Sequence, residues 1–165
     1  MVIYMYYLKN FFTFSILGHF LETFFYKGKD PGILTGYWTP IYGIGICIII
    51  FLNRCIIKKV HDKKKIFLYN FLIGFIILSL MELLGGFIIE ILFHKTFWSY
   101  ENHLLPIFKY TSVEMSLVWA VASITFIYIV KPLTDKIIPK INNDIIIVLI
   151  IIFITDILST TFIKM

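Results

Sequence analysis

The chain has 165 residues, of which 59% are hydrophobic and 18% aromatic, and its formal net charge is +5. A soluble domain of this size has too much surface for its volume to bury that apolar area, so the composition fits a protein dissolved in lipid. The basic residues lie in short connectors between apolar runs. This placement indicates membrane topology and attraction to anionic lipid, and it argues against a nucleic-acid partner.

Five apolar stretches approach the ~20 residues that a helix needs to cross the hydrocarbon core of a bilayer. In chain order they cover residues 6–26, 40–57, 66–93, 112–130 and 144–163. We therefore predict an all-α fold, a polytopic transmembrane helix bundle of about five helices, in which residues 1–165 form a single domain. The third stretch is long enough to tilt or to project beyond the bilayer.

The ends of these stretches carry helix-boundary chemistry. Thr39-Pro40 has the form of an N-cap followed by proline at the first helical position. Thr111 and Glu114 have the spacing of a capping box, and Asn143-Asp144 also suits a helix start. We expect the second, fourth and fifth helices to begin at these residues.

The connectors differ in positive charge, which sets the orientation because Lys and Arg favour the cytoplasmic side. The first connector has only Lys27 and Lys29, and the third only Lys95 and Lys109. The second and fourth carry more, namely Arg54, Lys58, Lys59, Lys63, Lys64, Lys65, Lys131, Lys136 and Lys140. With five spans, this distribution predicts a cytoplasmic N-terminus and a C-terminus outside.

Acidic side chains within the predicted spans are candidate functional groups, because such residues are rare in lipid and usually functional. His19 and Glu22 share one helix face, since they are three residues apart. On the predicted orientation, five acids from four helices lie at mid-depth or in the outer half of the bundle: Glu22, Glu82, Glu90, Glu114 and Asp156. Carboxylates placed there would bind a cation, a proton or a cationic substrate.

Two other helix faces are polar at helical spacing. Glu82, Gly86 and Glu90 form one ridge, and the pair Gly85-Gly86 would let another helix approach closely. The fifth helix carries a stripe of Asp156, Ser159 and Thr160. Lipid does not tolerate such faces, so we expect both to point inward.

The two outer connectors are unusual. The first, around residues 31–45, is rich in glycine and proline and favours tight turns. The third carries His94, Phe97, Trp98, Tyr100 and His103. These loops could cover the acids as a lid. The alternatives are an interfacial aromatic belt for Trp38, Trp98 and Tyr100, which we favour for those rings, and structural hydrogen bonds for the acids.

The segment "GILTGYWTPIYGIG" resembles the signature of a bacterial membrane family known as "putative ABC-transporter type IV", or CmpB-like. That family shows the pattern Gly-Phe-Leu-x-Gly-Pro-x-Cys-Pro-Ile-Tyr-Gly-x-Gly. The matching positions are Gly32, Leu34, Gly36, Pro40, Ile41, Tyr42, Gly43 and Gly45. Outside the segment, Gly18 with His19 and Glu22, the pair Glu82 and Glu90, residues 97–100, and Glu114 with Trp119 resemble further family elements.

The resemblance extends over roughly residues 11–132 and leaves open whether the fifth helix belongs to the shared region. Thr39 stands where the family has cysteine, Tyr37 where it has proline, His19 where it has tryptophan and Ser99 where it has aspartate. A cysteine-dependent or aspartate-dependent activity is therefore not expected here.

The resemblance implies a permease component of a transporter. The candidate site for an ion or substrate consists of His19, Glu22, Glu82, Glu90 and Glu114, with the loop residues Gly32, Gly36, Pro40, Tyr42, Gly43, Trp98 and Tyr100. No phosphate-binding loop of the form Gly-x-x-x-x-Gly-Lys-[Ser/Thr] is present, so ATP would require a separate nucleotide-binding subunit. A chain this small would otherwise need to form a homo-oligomer, with membrane lipids as its surroundings.

Two further function classes stay open. One is a membrane-embedded enzyme acting on a lipid or an outer-leaflet substrate, in which carboxylates and His19 or His94 act as acid and base or hold a divalent metal. The other is a membrane scaffold or accessory subunit. No cofactor is expected, and the sequence has no cysteine or histidine spacing typical of a metal site. Its richness in Ile, Phe, Lys, Asn and Tyr is compatible with a low-GC bacterium and a bacterial cell membrane.

Overall fold

The computed structural model of the protein describes residues 2–25 and 33–164. Within them the helices are α1 (Val2–Phe25), α2 (Pro40–Lys59), α3 (Lys63–Phe93), α4 (Val113–Thr134) and α5 (Asn143–Lys164). Between α3 and α4, strands β1 (Pro106–Phe108) and β2 (Thr111–Ser112) pair as a short antiparallel hairpin. The predicted all-α class is confirmed and the helix bounds agree within a few residues, whereas the hairpin was not predicted.

Four of the described helices, α2 to α5, are long and apolar enough to cross a membrane, judged by length and composition. The first helix has 24 residues but is not among these four. Its apolar run is interrupted by polar residues, among them Lys9 and Asn10. The insertion of α1 as a fifth span therefore stays a prediction.

The predicted start of α2 is confirmed, whereas the predicted start of α4 needs correction. Helix α2 begins at Pro40, as the Thr39-Pro40 pair predicts. The capping box assigned to Thr111 and Glu114 is wrong, because α4 begins one residue later than that arrangement requires. Its N-cap is Ser112, whose hydroxyl accepts a hydrogen bond from the backbone N–H of Met115 at 3.2 Å.

Helices α3 and α4 each contain a π-helical turn, at Ile73–Leu78 and Phe126–Val130. The two helices pack through small residues, since a Cβ at Gly74 would meet the backbone of Ala120 and the side chain of Ser123. Hydrogen bonds support the contact: Ser79 donates to Ser116 at 2.8 Å, and Ser123 donates to the carbonyl of Asn70 at 3.1 Å. Both hydroxyl bonds connect α3 to α4 across this contact.

Tertiary contacts divide the chain into two compact units. The first unit consists of Met1–Cys47 and Asp135–Met165, and the second of Ile48–Thr134. The boundary lies within α2, so each unit holds part of that helix. The interpretation of residues 1–165 as one transmembrane domain stays a prediction, and each unit is described by itself below.

The glycine ridge of α3 has a different neighbour from the one expected. A Cβ at Gly86 would overlap the ring of Tyr110, which lies in the turn of the hairpin and is 1% exposed. Tyr110 also makes edge contacts with Phe87 and Trp98. Gly86 therefore admits an aromatic ring of the third connector, and the expected helix partner is not what fills the notch.

Replacing Gly86 by alanine tests this packing. The added methyl group would collide with a buried ring, and such overpacking costs about 1–3 kcal/mol. We expect Gly86→Ala to lower the thermal unfolding midpoint of the detergent-solubilised protein. Gly85→Ala adds the same methyl group to the neighbouring helix position and serves as the control. Equal midpoints for the two variants would contradict the packing described here.

Candidate functional site

The first unit is organised around Asp156 of α5, which is 7% exposed. One carboxylate oxygen accepts hydrogen bonds from the backbone N–H of Thr35 at 3.1 Å, from the Thr35 hydroxyl and from the Thr160 hydroxyl at 3.2 Å. The other accepts from the backbone N–H of Gly36 at 2.9 Å and from the indole N–H of Trp38 at 2.6 Å. All five groups are donors, so the carboxylate is the acceptor in every one of these hydrogen bonds. Four of them attach the loop residues Thr35, Gly36 and Trp38 to α5.

The loop anchored in this way is the first connector, with its glycine- and proline-rich signature. Trp38 is buried and packs edge-on against Phe153 of α5 with 5.4 Å between ring centroids. A Cβ at Gly36 would meet the indole of Trp38, so the chain can fold this tightly only with glycine there. The belt interpretation is wrong for Trp38, because its polar group bonds a buried acid. The candidate residue Gly32 lies outside the described residues.

The loop in turn brings the start of α2 against one face of α1. The backbone N–H of Thr39 donates to the carbonyl of Ser15 at 2.9 Å. A Cβ at Gly18 would overlap the Tyr42 ring, and one at Gly43 would overlap the Ser15 hydroxyl. The two glycines therefore allow the close approach of α1 and the Pro40-Ile41-Tyr42-Gly43 segment.

This α1–α2 contact contains polar atoms that nothing in the described residues satisfies. Ser15 is 0% exposed and His19 is 5% exposed, yet the Ser15 hydroxyl and His19 Nδ1 have no hydrogen-bond partner among the residues described. The Glu22 carboxyl, half-buried on the same face of α1, interacts with the side chains of Tyr42 and Thr39. We call Ser15, His19, Glu22, Thr39 and Tyr42 the α1–α2 polar cluster.

The second unit has its own buried acid, Glu82 of α3, which is 5% exposed. Its carboxylate accepts a hydrogen bond from the Tyr100 hydroxyl at 2.8 Å and another from the indole N–H of Trp119 at 2.8 Å. The first bond comes from the third connector and the second from α4. Tyr100 of the third connector thus reaches Glu82 within the second unit, and the lid over the acids stays a prediction.

The two remaining candidate acids of the second unit are also engaged. Glu90 forms an ion pair with Lys109, and this hydrogen bond raises the pKa of Lys109 above its ordinary value. Glu114, in the first turn of α4, accepts a hydrogen bond from the backbone N–H of Leu105 at 3.0 Å. Its other carboxylate oxygen is buried and has no hydrogen-bond partner among the described residues. Both acids hold the third connector in place.

The candidate residues thus fall into two groups. In the first unit His19, Glu22, Gly36, Pro40, Tyr42 and Gly43 lie in or beside the loop and the α1–α2 polar cluster. In the second unit Glu82, Glu90, Glu114, Trp98 and Tyr100 surround the third connector. No group of three His, Cys, Asp or Glu side chains that could hold a metal ion occurs in residues 2–25 and 33–164.

The residue that sequence reasoning left out of the site is Asp156, although the loop depends on it. The signal was present, because Asp156 is an acid within a predicted span and shares a polar stripe with Thr160. Ser15 was missed too, and a lone serine on an apolar helix carries no signal of its own. Its importance comes from the contact with Thr39 and Gly43.

The apolar helices define a membrane protein whose connectors are held by buried acids. The family model described as "Putative ABC-transporter type IV" matches residues 9–161, and the chain belongs to this family. The match confirms the resemblance seen in the first connector and extends it through most of α5, where Asp156 lies. No curated protein and no solved structure gives a significant match to the chain.

Replacing Asp156 by asparagine tests the anchoring of the loop. The amide offers one acceptor oxygen and places an NH₂ group against donors, so at least one buried donor loses its partner at a cost of about 1–3 kcal/mol. We expect a lower unfolding midpoint in detergent and faster amide hydrogen exchange in residues 35–38.

The control is Asp144→Asn, which makes the same chemical change at an exposed position in the first turn of α5. If Asp156→Asn and Asp144→Asn show the same midpoint and the same exchange rates, Asp156 does not hold the loop.

Proposed function

We propose that the chain is a transport-related subunit of a bacterial cell membrane, with its N-terminus in the cytoplasm and its C-terminus outside. Its site for a cation or a cationic substrate is the α1–α2 polar cluster. The proposal is supported by membership of an ABC-transporter-related family, by four membrane-length apolar helices and by the chemistry of the cluster.

The observation that carries the proposal is the pair of buried polar atoms without partners at Ser15 and His19. Leaving a polar group buried and unpaired costs about 1–3 kcal/mol, so two such groups together favour a ligand that satisfies them. They lie on or against the face of α1 that carries the Glu22 carboxyl. A carboxylate surrounded by neutral oxygen and nitrogen atoms favours a positively charged group, such as a small monovalent cation or an ammonium.

The other acids are poorer candidates for the ligand. Asp156 accepts five hydrogen bonds, which occupy both carboxylate oxygens. Glu82 is bonded to Tyr100 and Trp119, and Glu90 is paired with Lys109. In this proposal these three acids hold connectors, and Glu22 is the carboxylate that binds the ligand.

Transport powered by ATP would need a second protein, because the chain has no phosphate-binding loop. A nucleotide-binding subunit would act on the cytoplasmic side, where the lysine-rich connector after α2 is predicted to lie. Purification from native membranes in mild detergent tests this part of the proposal. Co-purification of a subunit with ATPase activity supports it, and a chain that purifies only with itself supports a homo-oligomer.

The cation site is tested by ligand-induced stabilisation. The detergent-solubilised protein is heated in sodium, potassium, methylammonium and tetramethylammonium chlorides at equal ionic strength. A cation at one hundred times its Kd stabilises the folded state by about 2.7 kcal/mol, which raises the unfolding midpoint. We expect one member of the series to do so, and we expect Glu22→Gln to abolish that difference between cations.

Glu90→Gln is the matched control, because it removes a carboxylate that is paired with Lys109 in the second unit. This variant should retain the cation response whatever its own stability. Identical midpoints in all four salts, or a Glu22→Gln protein that responds like the unsubstituted one, would exclude the cluster as a cation site.

A membrane-embedded enzyme is the second candidate, and one observation favours it. His19 has an unpaired ring nitrogen and lies one turn from Glu22, an arrangement that suits an acid–base pair. Incubation with vesicles of defined phospholipids, followed by mass spectrometry of the lipids, distinguishes the candidates. Products that disappear in the His19→Gln variant would favour the enzyme, and unchanged lipids would favour transport.

A further inference from the structure

The second unit contains an apolar groove that the proposed function does not use. It has a volume of about 490 Å³ and lies between the last turns of α2 and the first half of α3. Its apolar lining includes Leu52, Cys55 and Ile56 from α2 and Ile73, Ile76 and Ile77 from α3. On the α3 side the lining extends from Tyr69 to Ile77, which is about 12 Å of helix.

The π-helical turn of α3 forms part of the groove wall. A π turn is wider than an α turn, and three of its residues, Ile73, Ile76 and Ile77, line the groove. Gly74 of the same turn faces α4. On the N-terminal side of the turn, the side-chain amide of Asn70 donates a hydrogen bond to the side-chain oxygen Oδ1 of Asn53 at 3.0 Å, which joins α3 to α2. The two walls of the groove, α2 and α3, are therefore held together by a direct hydrogen bond.

The groove is polar and basic at one end only. Lys59, the last residue of α2, lines it together with Tyr69, and both side chains are exposed. None of the described lining residues is acidic. The adjacent ends of α2 and α3 add Lys58 and Lys63–Lys65. The one acid beside them is Asp62, whose carboxylate caps α3 by accepting a hydrogen bond from the backbone N–H of Lys64.

We propose that this groove binds an anionic glycerophospholipid, with an acyl chain along the isoleucine-rich lining and the phosphate at Lys59. The lining of about 12 Å along α3, from Tyr69 at the polar boundary to Ile77, is close to the ~15 Å that one leaflet contributes to a 30 Å hydrocarbon core. The positive charge at the connector end complements a phosphate, and each surface lysine contributes about 1 kcal/mol to anionic-lipid attraction. Tyr69 suits the boundary between the apolar and the polar part of the lipid.

The chain supplies its own reporter, because Cys55 lines the groove and its side chain is exposed. Cys47→Ser removes the other thiol and leaves a hydroxyl that can still reach the Tyr7 carbonyl. The rate of Cys55 labelling by N-ethylmaleimide is measured in detergent during titration with phosphatidylglycerol or phosphatidylcholine. Normalising each rate to the lipid-free rate of the same variant cancels any direct effect of Lys59 on thiol reactivity.

We expect phosphatidylglycerol to slow labelling several-fold at concentrations where phosphatidylcholine has little effect. Lys59→Gln should remove the difference between the two lipids, and Lys59→Arg should restore it. Lys140→Gln is the control, since it neutralises a lysine of the connector before α5 in the first unit.

Three outcomes would overturn the proposal. Equal protection by the two lipids would mean ordinary annular lipid, and no protection by either would leave the groove to a partner protein. Loss of the headgroup preference in Lys140→Gln as well as in Lys59→Gln would mean nonspecific attraction by net charge. The labelling of Cys55 and the substitution of Lys59 both concern the second unit, whereas Glu22 belongs to the first. The result therefore does not depend on cation binding at Glu22.

Discussion

The buried carboxylate of Asp156 is the constraint on which the arrangement of the first unit depends. A glycine-rich loop has many conformations and no regular partner for its backbone N–H groups. The Asp156 carboxylate accepts hydrogen bonds from two of those backbone N–H groups, and also from the Thr35 hydroxyl and the Trp38 indole N–H. Once the loop is fixed, Thr39 reaches the carbonyl of Ser15. The contact between α1 and the start of α2 follows from that step.

In the second unit, carboxylates likewise hold a connector in place by accepting hydrogen bonds from it. Glu82 accepts hydrogen bonds from Tyr100 and Trp119, Glu90 pairs with Lys109, and Glu114 accepts from the Leu105 backbone. A carboxylate offers several acceptor positions and no donor, so it can gather donors from segments that are distant in sequence. In a chain dominated by apolar residues these acids are the strongest available fixing points, which explains why most of them are occupied.

Because most of the buried acids already accept hydrogen bonds, few groups are free to bind a ligand. A ligand site needs groups that the fold leaves unsatisfied, and in the described residues of the first unit these are the Ser15 hydroxyl and His19 Nδ1, on the helix face that carries Glu22. Thr39 and Tyr42 of the first connector belong to this cluster, and Gly43 packs against α1 beside it.

The helices could be predicted from the amino-acid sequence, because apolar runs of membrane length and a proline at a helix start act locally. The three-residue spacing of His19 and Glu22 likewise placed both on one face of α1. The sequence did not predict that Asp156 anchors the loop, that Ser112 caps α4 or that Tyr110 fills the notch at Gly86, and these features are known from the structure. These features join residues that are far apart along the chain or that compete for the same cap. Helical periodicity carries no information about such pairings, because it fixes the face of a residue and leaves its partner to packing.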